Sequence, residues 1–125
     1  MIGSLMMRVG VVVLLILLIG MLGGIAMGIR QDFALQAVHA HLNLVGGVLL
    51  FLFGLYYRLV PAAGNSALAK TQGWLHIIGG IFFPIGVAVV IFKGESWIVL
   101  PIVGSLIVVV AMALFALIVF RTSQT

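Results

Sequence analysis

The fold is organised around residues 36–47, QAVHAHLNLVGG, which open a long apolar run. This stretch places His39, His41 and Asn43 close together at the start of that run. Polar and ionisable side chains are costly inside a bilayer, so their presence there indicates a functional site by default. The rest of the chain has the composition of apolar packing around this point.

Composition sets the class of protein. The chain has 125 residues, of which 65% are hydrophobic and 6% are charged, and its mean hydropathy is +1.45. These values indicate an integral membrane protein, and the absence of period-2 alternation indicates helices rather than a membrane barrel. The basic residues that give the net charge of +4 stand at the ends of apolar runs, so they are a topology signal and predict no nucleic-acid partner. No cysteine is present, so no disulfide or thiolate metal site exists.

Four apolar runs predict the architecture. Each has about 20 residues, enough to span a bilayer as a helix. We therefore expect one all-α polytopic domain over residues 1–125, with four transmembrane helices in an up-down arrangement at about 5–28, 38–60, 71–92 and 97–120. Gly20, Gly24 and Gly28 predict a close-packing face on the first helix. Pro84 predicts a kink or a freed carbonyl near Gly80 in the third.

Charge predicts the orientation. Four spans put both termini on one side, and the basic residues on that side outnumber those on the other: Arg8, Arg58, Lys70 and Arg121 against Arg30 and Lys93. The positive-inside rule then places the termini in the cytoplasm, in a bacterial inner membrane. Tyr56, Tyr57 and Arg58 are interpreted as interfacial anchors of the second helix. Ser105 is expected to bond the backbone or to serve packing.

Helical geometry separates the histidines. His39 and His41 lie ~200° apart on a regular helix and therefore cannot ligate one metal ion together. On that wheel His39 shares a face with Gly46. His76 is expected one turn inside the third helix. Along the membrane normal it would then lie roughly 15–20 Å from His39 and His41. If His39 or His41 is an axial ligand of a haem iron, a second axial imidazole would therefore come from another subunit. The simpler alternative for each imidazole is a backbone or water hydrogen bond, and for His76 that alternative is favoured.

A family resemblance covers the second and third helices, about half the chain. The motif elements that carry it are His41-Leu42-Asn43, Gly54, Tyr57, Pro61, Trp74 and Pro84. In this pattern the chain resembles subunit I of the heme-copper oxidase superfamily, especially the C-type oxidases and nitric oxide reductases. In that family a histidine near the outer end of such a helix ligates a metal.

The departures from the family limit what the resemblance implies. The family has a copper-binding histidine pair after the mid-helix proline, whereas Ile85-Gly86 follow Pro84 here. No complete copper site is expected, so the chain is not a complete oxygen reductase. Family subunits contain twelve helices in three arcs of four, and this chain resembles one arc. The resemblance therefore implies a homo-oligomer, most simply a trimer.

Two main functions follow from these patterns. The first is a haem b-binding protein with an electron-transfer or haem-based sensing role, His41 or His39 being the axial ligand and Asn43 or the other imidazole orienting it. Arg30 is a candidate partner of a haem propionate, although interfacial snorkelling explains it more simply, and His76 is a further cofactor-binding candidate. A quinol or a cytochrome would be the redox partner. The alternative is an accessory or assembly subunit of a respiratory oxidase that holds no cofactor. A weaker third reading is a proton or copper conduit.

Overall fold

The computed structural model describes residues 2–124, and these form helices without a strand. Four helices are long and apolar enough to cross a membrane, which confirms the predicted all-α polytopic fold. We number them α1 (Ile2–Arg30), α2 (Gln36–Leu59), α3 (Ala67–Lys93) and α4 (Val99–Ser123). A short helical turn, Pro61–Gly64, precedes α3, and a 3₁₀ turn, Glu95–Trp97, precedes α4.

Neighbouring helices run in opposite directions. Ile2, at the start of α1, shares one buried core with Tyr57 near the end of α2 and with Ile118 near the end of α4. Both termini of the described chain therefore lie at the same end of the bundle, which we call the terminal end. The opposite end carries the loop after α1 and the turn between α3 and α4.

Glycines allow close approach of the helices, but the predicted set is only partly correct. A Cβ on Gly54 of α2 would stand 2.5 Å from the Gly3 carbonyl oxygen of α1. A Cβ on Gly20 would stand 3.3 Å from His39, whereas Gly24 and Gly28 have nothing within 4 Å. The predicted face is therefore wrong within one protomer beyond Gly20, because the last turns of α1 pass beyond the start of α2.

The predicted helix ends differ from the structure by one to four residues, and local capping or turn structure explains three of them. The third helix begins at Ala67 rather than near residue 71, because the Ser66 hydroxyl accepts a hydrogen bond from the Ala69 N–H at 3.1 Å. It ends at Gly94, whose φ of 98° suits glycine. The fourth helix begins at Val99 rather than 97, because the 3₁₀ turn takes up Trp97.

A π-helical segment, Leu42–Leu49, lies inside α2 and was not predicted. Its wider turns change which residues share a face. A regular wheel puts His39 and Gly46 together, whereas His39 lies against Gly20 of α1 and Gly46 lies against Gly80 of α3. The predicted face is therefore wrong for Gly46, but Gly47, predicted on the same face, lies against Leu14 of α1, the helix that His39 also contacts.

The mid-helix proline leaves α3 unbroken, since the helix continues through Pro84 to Lys93. Proline has no N–H, so the Gly80 carbonyl lacks its usual helical donor. That oxygen lies 2.9 Å from the position a Cβ of Gly46 would take, so only a glycine fits there. The freed carbonyl near Gly80 that the sequence predicted is thus at the contact between α2 and α3.

Candidate functional site

His41 lies on the α3 side of α2 with a fixed ring orientation. Its Nδ1 lies 2.7 Å from the Ala37 carbonyl oxygen, one turn back, and donates to it. The ring packs edge-on against Phe83 of α3, with centroids 4.7 Å apart at 66°. With the proton on Nδ1, Nε2 carries the lone pair. The side chain is half-buried, and no hydrogen bond to Nε2 occurs among residues 2–124, so Nε2 is available to a ligand.

His39 faces a different helix. Its Cε1 and Nδ1 lie 3.3 and 3.6 Å from where a Cβ of Gly20 would stand, which places the imidazole against α1. His39 and His41 therefore serve different neighbours, as their separation on the helix predicts. The geometry favours His41 over His39 as the ligand of an external group, because the Nδ1 bond to Ala37 fixes the tautomer and the ring orientation of His41 alone.

The predicted supporting residues do not contact the imidazoles. Asn43 is half-buried in the π segment, and no side-chain hydrogen bond joins it to His39 or His41 within the described chain. The Ala37 carbonyl takes the orienting role that we predicted for Asn43. Arg30 is the last residue of α1 and is exposed at the end of the bundle remote from the termini.

His76 is part of the bundle interior. It is fully buried on α3, and its Nε2 donates to the Val45 carbonyl oxygen at 2.9 Å. Phe53 packs edge-on against the ring at 4.8 Å. Nδ1 is buried and has no partner among residues 2–124. His76 is therefore used for a contact between α2 and α3, the structural role that the sequence favoured.

The level of His76 differs from the prediction. His41 contacts Phe83, which lies seven residues beyond His76 on α3. At ~1.5 Å per residue the two histidines differ by roughly 10 Å in level, less than expected. The difference arises because α3 begins at Ala67, so His76 lies well inside the helix rather than one turn from its start.

A buried polar chain links three helices and was missed. The Tyr57 hydroxyl of α2 donates to Gln72 Oε1 of α3 at 2.7 Å, and Gln72 Nε2 donates to the Ala111 carbonyl oxygen of α4 at 3.1 Å. Tyr57 is only 3% exposed, so its interpretation as an interfacial anchor is wrong. The sequence held one signal: a glutamine in an apolar helix needs partners.

The side chains that could ligate a metal determine which cofactors the described residues fit. Among residues 2–124 no three His, Asp or Glu side chains come together, so a metal ion held only by this protomer has no ready site. A bis-histidine haem would take one imidazole from each side of the ring plane, whereas a five-coordinate haem would take only one. His41 would suit one such position, because the Ala37 carbonyl oxygen holds its Nδ1 proton, as an acceptor usually holds the second ring N–H of a metal-bound histidine. The residues present therefore fit one axial position.

Comparisons with protein-family models, curated proteins and solved structures gave no significant match. The functional argument therefore depends on the residues and on the geometry above.

Proposed function

We propose that the protein binds haem b in the membrane as one four-helix unit of a homo-oligomer and serves electron transfer. The observation that supports this most is the His41 ring. Its Nδ1 is bonded to the Ala37 carbonyl at 2.7 Å, while its Nε2 has no hydrogen-bond partner among residues 2–124 and the side chain is only half-buried. A carbonyl acceptor on Nδ1 orients the ring and raises the basicity of Nε2, which is what an axial ligand requires.

The second axial imidazole is proposed to come from another copy of the chain. His76 is committed to Val45 and His39 lies against α1, so neither is free to face His41 across a ring plane. Three copies would supply the twelve helices of the heme-copper oxidase arrangement that α2 and α3 resemble. The outer turns of α1 offer additional contact surface, because Ile25 is 62% and Ile29 80% exposed.

The chain's own residues would orient and shield the group. Ala37 holds the His41 ring and Phe83 packs against its edge. Arg30, exposed at the same end of the bundle, is the proposed partner of a propionate. A bis-histidine haem carries one electron reversibly, and the protein sets its potential through ligands, burial and hydrogen bonds. Electrons would come from a quinol or a cytochrome. Oxygen reduction by the chain alone is not proposed, because Ile85-Gly86 replace the family's copper-binding histidines.

Absorption spectra of the detergent-purified protein, oxidised and dithionite-reduced, test the proposal. We expect a six-coordinate low-spin b-type spectrum that His41→Ala removes and that His39→Ala retains. His41→Gly with added imidazole should recover the spectrum, which a merely misfolded variant would not do. A spectrum lost only in His39→Ala contradicts the assignment of His41. A five-coordinate spectrum would instead indicate a gas-sensing role. Native mass spectrometry showing only monomers removes the shared site.

We further propose a bacterial inner membrane location with both termini in the cytoplasm. Arg8, Arg58, Lys70 and Arg121 lie towards the terminal end, whereas Arg30 and Lys93 lie at the other. Because the chain has no cysteine, single cysteines introduced near residue 65 and near residue 95 can be labelled with an impermeant reagent in whole cells. Labelling at the first position only contradicts this orientation.

A cofactor-free accessory subunit is the second candidate. The uncovered outer part of α1, where Gly24 and Gly28 meet nothing within 4 Å, favours it as a docking surface for a larger subunit. A colourless protein after expression with haem supplied, which copurifies with an oxidase, would favour this function over the first.

A further inference from the structure

Two arginines share one cavity at the terminal end of the bundle. Arg8 of α1 and Arg58 of α2 both line a cavity of about 570 Å³, together with Ser4, Met7 and Phe51. Both arginines are exposed rather than buried in the core. Two guanidinium groups facing one cavity repel each other unless an anion lies between them.

The chain has no acid to supply that anion. Its two acidic residues are Asp32, in the loop after α1, and Glu95, in the turn before α4. Both lie at the opposite end of the bundle. Neither acidic side chain can therefore compensate the two arginines, and guanidinium groups suit phosphate oxygens because they donate two parallel hydrogen bonds.

An apolar groove continues from the same arginine. A groove of about 710 Å³ runs between α1 and α3, and Arg8 and Val12 line both it and the arginine cavity. Its walls are aliphatic side chains that include Val9, Ile16 and Ile85, and it reaches Lys93 at its far end. The part lined by α3 runs from Ile81 to Lys93, ~18 Å along the helix, which is slightly more than half of a ~30 Å bilayer core.

We propose that the cavity and groove together bind one anionic phospholipid, with its phosphate between Arg8 and Arg58 and an acyl chain in the groove. A basic pocket between transmembrane helices near one membrane face suits such headgroups. Arg8 lies about 9 Å along α1 from Ile2, so its side chain must extend towards the interface, where lipid phosphates are found. The proposal is independent of haem binding and of which side the terminal end faces.

Native mass spectrometry of the full-length protein in detergent tests this. We would titrate phosphatidylglycerol, and phosphatidylcholine with the same acyl chains. The wild type should retain phosphatidylglycerol preferentially, and Arg8→Gln with Arg58→Gln should weaken its retention about thirtyfold. Lys70→Gln is the matched control, because Lys70 has the same charge, lies at the terminal end and lines neither cavity. It should bind as the wild type does.

Three outcomes would overturn the proposal. Equal retention of the two lipids by the wild type shows that the site does not distinguish an anionic headgroup from a zwitterionic one, since both lipids carry a phosphate. An equal loss in Lys70→Gln shows a general charge effect. Glycerol phosphate binding as tightly as phosphatidylglycerol indicates a site for a soluble phosphate, in which the groove has no part. The lipid comparison uses the wild type alone, so the test stands even if the double variant does not fold.

Discussion

Substituting Gly54 by alanine tests the packing of α1 on α2. The added Cβ would stand 2.5 Å from the Gly3 carbonyl oxygen and 2.8 Å from the Met7 backbone nitrogen, both of which belong to α1. Carbon contacts are favourable only near 3.5–4.0 Å, so the two helices must move apart by about 1 Å. Neither partner is the end of a flexible side chain, so rotation of a side chain cannot relieve the contact.

The expected magnitude combines two opposing effects. Overpacking of this kind costs about 1–3 kcal/mol, and contact with two backbone atoms puts Gly54→Ala at the upper end. Alanine in place of a helical glycine stabilises the helix by about 1 kcal/mol, because of its higher helix propensity. We therefore expect a net loss of about 2 kcal/mol in the free energy of unfolding. Gly23→Ala is the matched control, because a Cβ there meets nothing within 4 Å. It should be neutral or stabilising by up to about 1 kcal/mol.

The assay is unfolding of the two variants and the wild type in mixed detergent micelles with increasing SDS, followed by circular dichroism. The difference between Gly54→Ala and Gly23→Ala should be about 3 kcal/mol, with Gly54→Ala the less stable. Equal stabilities would refute the reasoning, since the close approach of the α1 and α2 backbones predicts a cost at only one of the two glycines.

Three further perturbations should have measurable effects. Tyr57→Phe leaves Gln72 Oε1 buried without its donor, so unfolding in SDS should show a free energy of unfolding lower by about 1–2 kcal/mol. In a double-mutant cycle, adding Gln72→Leu should recover most of this loss. Ser66→Ala removes the cap on Ala69 N–H, so the same assay should show a loss of about 1 kcal/mol and hydrogen exchange should rise in the first turn of α3; unchanged exchange there contradicts the cap. Gly94→Ala forces a side chain to φ 98°, which should cost about 1 kcal/mol or more, and a melting temperature equal to that of the wild type would speak against this strain.

The sequence was sufficient for the number and order of the helices, because apolar length and interfacial charge dictate both. Of the two roles predicted for Ser105, a backbone bond or packing, the structure has the first, since the hydroxyl donates to the Ile102 carbonyl oxygen at 2.8 Å. The sequence did not predict the start of α3, because the Ser66 cap is a local choice within a polar loop. Such a cap moves a helix end by only a few residues, and the hydropathy of the apolar run does not show so small a shift.

Side-chain neighbours were less predictable than helices. Tyr57 lies between Tyr56 and Arg58 at the end of an apolar run, as an interfacial anchor does. It is buried, however, because α3 begins early enough to place Gln72 beside it. The helical wheel for α2 misplaced Gly46, because a regular helix was assumed across Leu42–Leu49. Within the candidate site, the sequence predicted that His39 and His41 diverge, but it could not choose between them. The choice of His41 depends on two neighbours, Gly20 and Phe83, whose positions follow from tertiary packing.

Because of the π segment, the number of residues between the two ends of α2 determines how one end is rotated relative to the other. Hydrogen bonds that close over one extra residue absorb an added residue without breaking the helix. Deleting one residue between His41 and Leu50 would restore α-helical bonding, and it would turn the two histidines by one residue step, ~100°, relative to Tyr57. The direction in which the imidazoles point is thus set by a count of residues as much as by their identity, and a shortened chain of otherwise identical composition would present its histidines to a different neighbour.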